Sequence, residues 1–350
     1  MGRSTTVSCA VTYAGIDFHK KFSMVCLGDD KGKVISIERL ENHEDAVRKF
    51  FAQYPGLHCA IESCRGYEWF VDLLKGMGLD VHLCNAYKVK LIAHSRCKTD
   101  KVDSRILMEL LAIGFLPTCY LPTLEERDLR ERLRWRCHLV RNATRIKNRI
   151  HTLIAKDNLG ATLGPDLFTK NGKKLLKQVK MSSATRQEVL ENQLLLLEHL
   201  EEMILAEERW VEMTVKASPD ARLLMTIPGI GEFSALVILS ELGDIKRFKT
   251  SAQVANYSGL TPSISQSGES SRTGAITKQG PSQLRWILIQ DAWQAIRYSY
   301  EFRCHYAAVS KRCGRHGAIV SVARKLLTVA YRVLRDKKPF DPNLIGAQGA

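Results

Sequence analysis

Four acidic residues in the first third of the chain have the types and spacing of a shared metal site. Asp100 and Asp103 open an apolar run of helical period, so their carboxylates lie on one helix face about a turn apart. Asp17 and Glu62 each stand at the end of a short apolar strand pattern. Singly, such acids are more often turn residues or helix N-terminal acids. The order of all four within the first 103 residues favours a common site.

A cluster that offers only carboxylate oxygens suits a hard divalent cation. Mg²⁺ binds few protein carboxylates and completes its shell with water and substrate phosphates. One ion, or two about 4 Å apart, can clamp a phosphodiester during displacement. We therefore predict that Asp17, Glu62, Asp100 and Asp103 hold Mg²⁺ and act on a phosphodiester.

The elements that must position these acids are predicted from the apolar periodicity. Three strands come first, and helices and strands alternate after them, which indicates an α/β domain. The predicted strands cover residues 11–17, 22–27, 33–37, 57–63 and 81–85. The predicted helices cover residues 42–51, 67–77 and 100–113, and Asn42 is the expected N-cap of the first.

The overall charge points to a polyanionic partner. The 350 residues carry a net charge of +15, and 45% of them are hydrophobic. Such a chain can form real cores, and its charge indicates nucleic acid before an anionic membrane surface. No run of about 20 apolar residues occurs, so we expect no membrane-spanning helix. The ten cysteines lack C-x-x-C and zinc-finger spacing, which is typical of a cytoplasmic protein with reduced thiols.

Residues 123–218 change character and are predicted to form a helical linker. A long helix over 124–158 is rich in arginine, including Arg141, Arg145 and Arg149, and we interpret it as a nucleic-acid-binding arm. The alternative is an ordinary solvated face. A basic loop is expected over 159–183.

A second long helix is predicted over residues 184–217, and it is acidic with apolar heptads. Glu201 and Glu208 occupy seam positions that should be apolar, so the coiled coil is imperfect. An acidic helix after a basic one suggests a hairpin that pairs within the chain or between protomers.

Pro219 marks the start of a mostly helical C-terminal domain, residues 219–350. A P-G-I-G turn near its start resembles a helix–hairpin–helix, in which Gly229 and Gly231 let backbone N–H groups approach a phosphate. The alternative is a tight inter-helix turn. Residues 261–280 have the composition of a flexible loop, and two amphipathic helices are predicted after it.

Several motifs in this order resemble a known family. They are G-I-D at 15–17, I-E-S at 61–63, K-T-D-K-V-D at 98–103, G-L-T-P at 259–262, S-G at 267–268 and G-A-I-T-K-Q-G at 274–280. The pattern is similar to that of the DEDD transposases of the insertion-sequence-110 family, which are RNA-guided bridge recombinases related to Piv-type invertases. The resemblance covers nearly the whole chain. Ser104 departs from it, because the family commonly has alanine after the second Asp.

The resemblance implies a fold, a nucleophile and partners. Residues 1–122 would form a RuvC-like domain of RNase H-like fold. By position the family's nucleophilic serine falls on Ser267, with Ser263, Ser265 and Ser270 as the alternatives. From their own places in this loop, we expect Arg272 and Lys278 to neutralise charge in the transition state. The implied reaction cuts and rejoins double-stranded donor and target DNA through a phosphoserine. A structured noncoding RNA, which the element encodes, would choose the sites.

Two other functions fit part of the same sequence. A RuvC-like metal nuclease or junction resolvase would need the four acids and water, without a serine. A non-catalytic nucleic-acid-binding protein would need only the basic arm and the glycine turn. For the recombinase we expect a bacterial cytoplasmic homo-oligomer, a dimer that becomes a tetramer in the synaptic complex. The acids and Ser267 are then expected to meet across protomers.

Overall fold

The apolar strand patterns near the start of the chain form one five-stranded sheet in the computed structural model of this protein. Its strands are β1 (Tyr13–Phe18), β2 (Phe22–Gly28), β3 (Val34–Glu41), β4 (His58–Glu62) and β5 (Asp80–Cys84). Their order is β3-β2-β1-β4-β5, with β1 antiparallel to β2 and parallel to β4. The structure describes residues 11–93, 99–164, 166–267 and 270–346. It divides into two compact units, Met1–Pro122 and Thr123–Ala350.

Helices cover both faces of this sheet. They are α1 (Glu44–Phe51), α2 (Glu68–Gly76), α3 (Ala86–Ile92) and α4 (Asp100–Ala112). Alternate residues of a strand point to opposite faces, and Ile16 of β1 is buried in the core that α1 and α2 complete. Gly15 points to the other face, where α4 lies. The sequence analysis predicted this α/β arrangement, which the structure confirms.

The second unit begins with two long helices, α5 (Leu124–Lys156) and α8 (Ala184–Ala217), whose apolar faces pack on each other within the chain. The loop expected over 159–183 instead contains α6 (Gly160–Leu163) and α7 (Lys170–Gln178). The prediction of a loop relied on the many lysines of this segment and overlooked its leucines. Leu167 and Leu176 are buried in the core between the long helices.

The rest of the unit is mostly helical. It contains α9 (Pro219–Leu224), α10 (Glu232–Leu242), α11 (Ser251–Ser258), α12 (Ser282–Tyr298), α13 (Tyr300–Asp336) and α14 (Asn343–Gly346). Its core also includes Leu133 of α5 and Val211 and Val215 of α8. The division of residues 123–218 from 219–350 into separate domains stays a prediction.

One expected loop is a β-hairpin. Strands β6 (Pro262–Ser267) and β7 (Ser270–Ile276) pair antiparallel in a two-stranded sheet. The Ser- and Gly-rich composition hid these strands, because the hairpin depends on backbone pairing and not on alternating apolar residues. Within the described ranges, no helix is both long and apolar enough to cross a bilayer.

Candidate active site

Asp17 and Glu62 lie at the same end of two neighbouring parallel strands. The last register pair between β1 and β4 joins Ile16 to Ile61, and each acid follows its partner by one residue. Parallel pairing thus brings together two carboxylates that are 45 positions apart in the sequence. Glu62 is the last residue of its strand and is half-buried.

Helix α4 brings Asp100 and Asp103 towards these strand ends. It begins at Asp100, after Thr99 caps it by accepting a hydrogen bond from the Val102 backbone N–H at 3.3 Å. The helix packs directly on β1 at Gly15, where a Cβ atom would stand 2.0 Å from the Ser104 carbonyl oxygen. The glycine of the G-I-D motif therefore lets the acidic helix approach the strand that carries Asp17.

His19 connects the strand acid to the helix acid. Its Nε2 lies 3.2 Å from Oδ2 of Asp17 and 3.2 Å from Oδ2 of Asp100. The side-chain ligand atoms of these three residues all lie within 4.8 Å of one another. This buried nitrogen has hydrogen-bond geometry to neither carboxylate and to no other atom of the described residues.

Asp17 interacts electrostatically with each of the other three acids. Burial, together with the negative charges of Asp100, Asp103 and Glu62, raises the pKa of Asp17 to about 6, although His19 acts to lower it. A carboxyl group with three acidic neighbours binds a proton or a cation to relieve their repulsion. The structure thus places the four predicted acids in one electrostatic cluster.

Asn42 fixes the turn that carries His19. Its Nδ2 donates a 2.6 Å hydrogen bond to the His19 carbonyl, and its Oδ1 accepts one from Ser23 Oγ at 2.8 Å. Asn42 had been predicted to cap α1, but His43 does so, through Nδ1 and the Ala46 N–H. Sequence reasoning missed the place of His19 between the acids and the contact of Asn42 with the His19 carbonyl. For His19, its D-x-H spacing from Asp17 was the available signal.

The donor set of this cluster fits a hard divalent cation. The four acids offer only oxygen atoms as ligands. In addition, the buried Nε2 of His19 makes no hydrogen bond to the described residues, so a charged group or a ligand can bind beside it. Burial, together with the charges of Glu62 and Asp17, raises the pKa of the nearby Cys64 thiol to about 11, so without a metal ion this thiol stays protonated at neutral pH.

Ser267 lies at the tip of the β6–β7 hairpin, where its backbone pairs with Ser270. The side chain of Ser267 and the following Gly268 lie outside the described residues. Ser263, another residue of the same strand, uses its hydroxyl to donate a 2.9 Å hydrogen bond to the Ala275 carbonyl. The Ser263 hydroxyl is therefore engaged with the backbone of the facing strand in this structure.

The G-L-T-P motif at 259–262 and the G-A-I-T-K-Q-G motif at 274–280 are hydrogen-bonded to each other at the base of this hairpin. Thr277 N–H donates to the Thr261 carbonyl at 2.9 Å, and Lys278 N–H donates to the Gly259 carbonyl at 3.1 Å. Arg272 lies near the middle of β7 and is exposed, and Lys278 is exposed just after that strand. Both cations are therefore available to a bound anion on the hairpin that carries Ser267.

The arginines of α5 differ in what surrounds them. Arg141, Arg145 and Arg149 are exposed and line one groove of about 600 Å³ with other residues of α5 and with Val189 and Gln193 of α8. None of the three forms a salt bridge with an acid in the part of the chain that the structure describes. Other cations of α5 are neutralised by α8, in the pairs Arg132–Glu207, Arg136–Glu208 and Lys147–Glu201.

The P-G-I-G turn separates its two glycines. Gly229 has φ of 95° and packs on α12, where a Cβ would lie 2.6 Å from the Asp291 carbonyl oxygen. Its backbone therefore approaches this protein's own helix. Gly231 caps α10 and has open space around it. Phosphate contact by either glycine stays a prediction, and only Gly231 has room for it.

Known families match both units of the chain. A family model of the DEDD transposases of IS110 type, described as transposase, matches residues 14–156. This match gives the class of protein that the sheet and its four acids define, a DEDD-type transposase domain. A second model, described as transposase of the IS116/IS110/IS902 family, matches residues 221–307.

Individual relatives extend the similarity over nearly the full length. The transposase for insertion sequence element IS1111A of Coxiella burnetii is 26% identical over 93% of this chain and 90% of its own. A probable family 20 transposase of Pseudomonas aeruginosa is 28% identical over 81% and 83%. The pilin gene-inverting protein of Moraxella bovis is 32% identical over 38% and 42%. This chain belongs to the IS110 family of insertion-sequence transposases.

Membership of this family fixes the broad activity. The protein is a DNA-recombining enzyme whose substrate is DNA. The DEDD type of its first domain indicates the use of a divalent metal ion.

Proposed function

We propose that this transposase cuts and rejoins DNA through a phosphoserine at Ser267, with Mg²⁺ at its acidic cluster and a structured noncoding RNA as its guide. The observation that carries the proposal is the convergence of charge from Glu62, Asp100 and Asp103 on Asp17. Such mutual repulsion costs stability, and it is useful where a cation and a phosphodiester must bind together.

The first unit is proposed to be a RuvC-like, RNase H-like domain in which Asp17, Glu62, Asp100 and Asp103 hold the ion. Bound Mg²⁺ would supply charge stabilisation to a phosphodiester under attack. Before it binds, Asp17 has a raised pKa and His19 lies between the two nearest carboxylates. Asn42 holds the turn of His19 in place by a hydrogen bond to its carbonyl.

The covalent step is proposed for the β6–β7 hairpin. Ser267 Oγ forms a bond to phosphorus while the bond from phosphorus to one deoxyribose oxygen breaks. The serine gives up its proton, and the departing oxygen takes one up as a hydroxyl. The phosphoserine conserves the bond energy, so a second strand can be joined without ATP. Arg272 and Lys278 would stabilise the charged phosphorane-like transition state.

Guidance by RNA is proposed because the available cations suit backbone recognition. Arg141, Arg145 and Arg149 line one groove and are free of acidic partners among the described residues. Such residues bind phosphates of any sequence, which leaves the choice of sequence to base pairing. We further propose a homo-oligomer that brings together two donor and two target strands of DNA.

The nucleophile is tested with suicide DNA, in which a nick traps the covalent product. Ser267→Ala should bind DNA normally and form no adduct, whereas wild type forms an adduct with phosphoserine at residue 267 in mass spectra. Ser263→Ala is the matched control and should keep the adduct, because the Ser263 hydroxyl is already bonded to Ala275. An adduct in Ser267→Ala would overturn the assignment and direct attention to Ser265.

The rival functions give different results in the same assay. A RuvC-like nuclease would hydrolyse the DNA in Mg²⁺ without any adduct, and a binding protein would leave the DNA intact. The guide is tested by sequencing RNA that co-purifies with the protein. We expect one abundant RNA that the element itself encodes, and a random sample of cellular RNA would contradict guidance.

A further inference from the structure

The sheet of the first unit carries a second group of polar side chains, at the opposite end from the acidic cluster. His58 and Asp80 begin β4 and β5 and are directly paired in the register of these parallel strands. Asp80 and His82 are two residues apart in β5, so they share one face. Strand pairing and alternation thus bring His58, Asp80 and His82 together.

The three side chains already converge on one point. Asp80 Oδ2 lies 2.8 Å from His58 Nδ1 and 2.9 Å from His82 Nε2. All three ligand atoms lie within 4.8 Å of one another. Ligand atoms of a tetrahedral zinc ion stand about 3.3 Å apart, given bonds of about 2.0–2.1 Å. Small side-chain rotations would therefore admit an ion between them.

The chemistry of this donor set differs from that of the acidic cluster. Imidazole nitrogens suit zinc, copper, nickel and iron, whereas carboxylate-only sites suit Mg²⁺. Asp80 can supply one carboxylate oxygen, and His58 and His82 can supply two imidazole nitrogens.

The surroundings leave room for an ion and for water. The side chains of His58, Asp80 and His82 are 44%, 54% and 33% exposed. The centre of the Tyr13 ring lies 5.7 Å from the centre of the His58 ring. Three protein ligands with a solvent-facing fourth position are the arrangement that zinc takes with water.

We propose that His58, Asp80 and His82 form a binding site for one zinc-class divalent ion, separate from the acidic cluster. His58 and Glu62 lie at opposite ends of β4, four residues apart, which is about 13 Å along a strand. The ion would tie the start of β5, which is an edge strand of the sheet, to β4. The alternative is a hydrogen-bonded clamp without metal.

The test titrates the full-length, EDTA-treated protein with Co²⁺ in excess Mg²⁺, which occupies the acidic cluster. Tetrahedral Co²⁺ absorbs visible light far more strongly than octahedral Co²⁺, and Zn²⁺ should displace it. We expect one equivalent of tetrahedral Co²⁺ in wild type. His58→Asn, Asp80→Asn and His82→Asn should each weaken its binding at least about tenfold, since each removes one of three ligands.

Two controls keep the result specific. His43→Asn removes an exposed histidine elsewhere and keeps a residue that caps helices well, so Co²⁺ binding should not change. Asp17→Asn alters the acidic cluster and should also leave the tetrahedral signal intact. The proposal is overturned if wild type gives no tetrahedral signal, or if His82→Asn binds Co²⁺ as tightly as wild type. In either case the three side chains are only a clamp.

Discussion

Gly15 of β1 lies directly against the backbone of Ser104 in α4, so closely that a Cβ on Gly15 would stand 2.0 Å from the Ser104 carbonyl oxygen. The same Cβ would stand 2.4 Å from the Met108 backbone nitrogen. Both contacts are with backbone, which cannot rotate away as a side chain can. The distance between the strand acid and the helix acids therefore depends on a residue without a side chain.

Gly15→Ala should displace α4 and reduce strand cleavage at least tenfold. Overpacking of a core typically costs about 1–3 kcal/mol, and a clash with backbone belongs at the upper end. The free energy of unfolding and the cleavage rate are the measurements. Gly76→Ala is the control, because Gly76 ends α2 with nothing near its Cβ position. It should be neutral or slightly stabilising, and equal behaviour of the two variants would contradict the packing argument.

Asp17→Asn should abolish recombination and yet stabilise the metal-free protein at pH 7.5. Folding raises the pKa of Asp17 from 3.8 to about 6, so the ionised carboxylate opposes folding once the pH exceeds this window. The gain should be on the order of 1–2 kcal/mol above pH 6 and vanish below about pH 4. Unfolding in urea with EDTA measures it.

The exposed turn residue Asp30 provides the matched control for that charge change. Asp30→Asn should leave both activity and stability unchanged. Added Mg²⁺ should stabilise wild type more than Asp17→Asn, because only the native acidic cluster binds the ion tightly. A metal-free Asp17→Asn protein that is less stable than wild type at pH 7.5 would contradict the raised pKa of Asp17.

Replacing Arg141, Arg145 and Arg149 by glutamine should weaken nucleic-acid binding and flatten its dependence on salt. Each phosphate contact that is lost should reduce the slope of log K against log salt by about one unit. Filter binding across a range of KCl concentrations measures it. The control replaces the paired cations Arg132, Arg136 and Lys147 by glutamine, and the slope should change less. Equal slopes in the two triple variants would make the groove an ordinary solvated face.

Asp291→Asn should make folding stability less dependent on pH. The carboxyl of Asp291 is buried in the second unit, and burial raises its pKa to about 7 although Ser234 Oγ donates a 2.6 Å hydrogen bond to it. In wild type the unfolding free energy should fall between about pH 4 and pH 7, by at most about 1.4 kcal/mol per unit. Asparagine keeps the acceptor for Ser234 and has no charge to bury. A wild-type slope that persists in the variant would point to another buried group.

Local patterns predicted the sheet and the places of the four acids in it. Strand and helix periods can be recognised from neighbouring residues alone, so Asp17, Glu62 and Asp100 could be assigned to strands and a helix without knowledge of their contacts. The contact of Asn42 with the His19 carbonyl could not be predicted in this way. It joins residues 23 positions apart, and it competes with the helix-capping role that the local sequence suggested for Asn42.

Other differences have the same physical origin. The β6–β7 hairpin follows from pairing such as Pro262 with Ile276, which composition does not record. Gly229 is fixed by the approach of α12, whose contact residue Asp291 lies more than 60 positions later. Glu201 occupies a seam position that the heptad pattern expects to be apolar, and there it forms salt bridges with Lys147 and Lys173. Long-range contacts decided each of these cases.

The two sides of α5 differ in how many of their positive charges are neutralised by acids. One side pairs its cations with Glu207 and Glu208, and the other presents Arg141, Arg145 and Arg149 without acidic partners in the described chain. A rod of this kind experiences a torque in the field of a polyanion as well as an attraction. If this face binds nucleic acid as proposed, we expect the field to turn it towards the polyanion before the two surfaces touch, so that orientation is selected during approach.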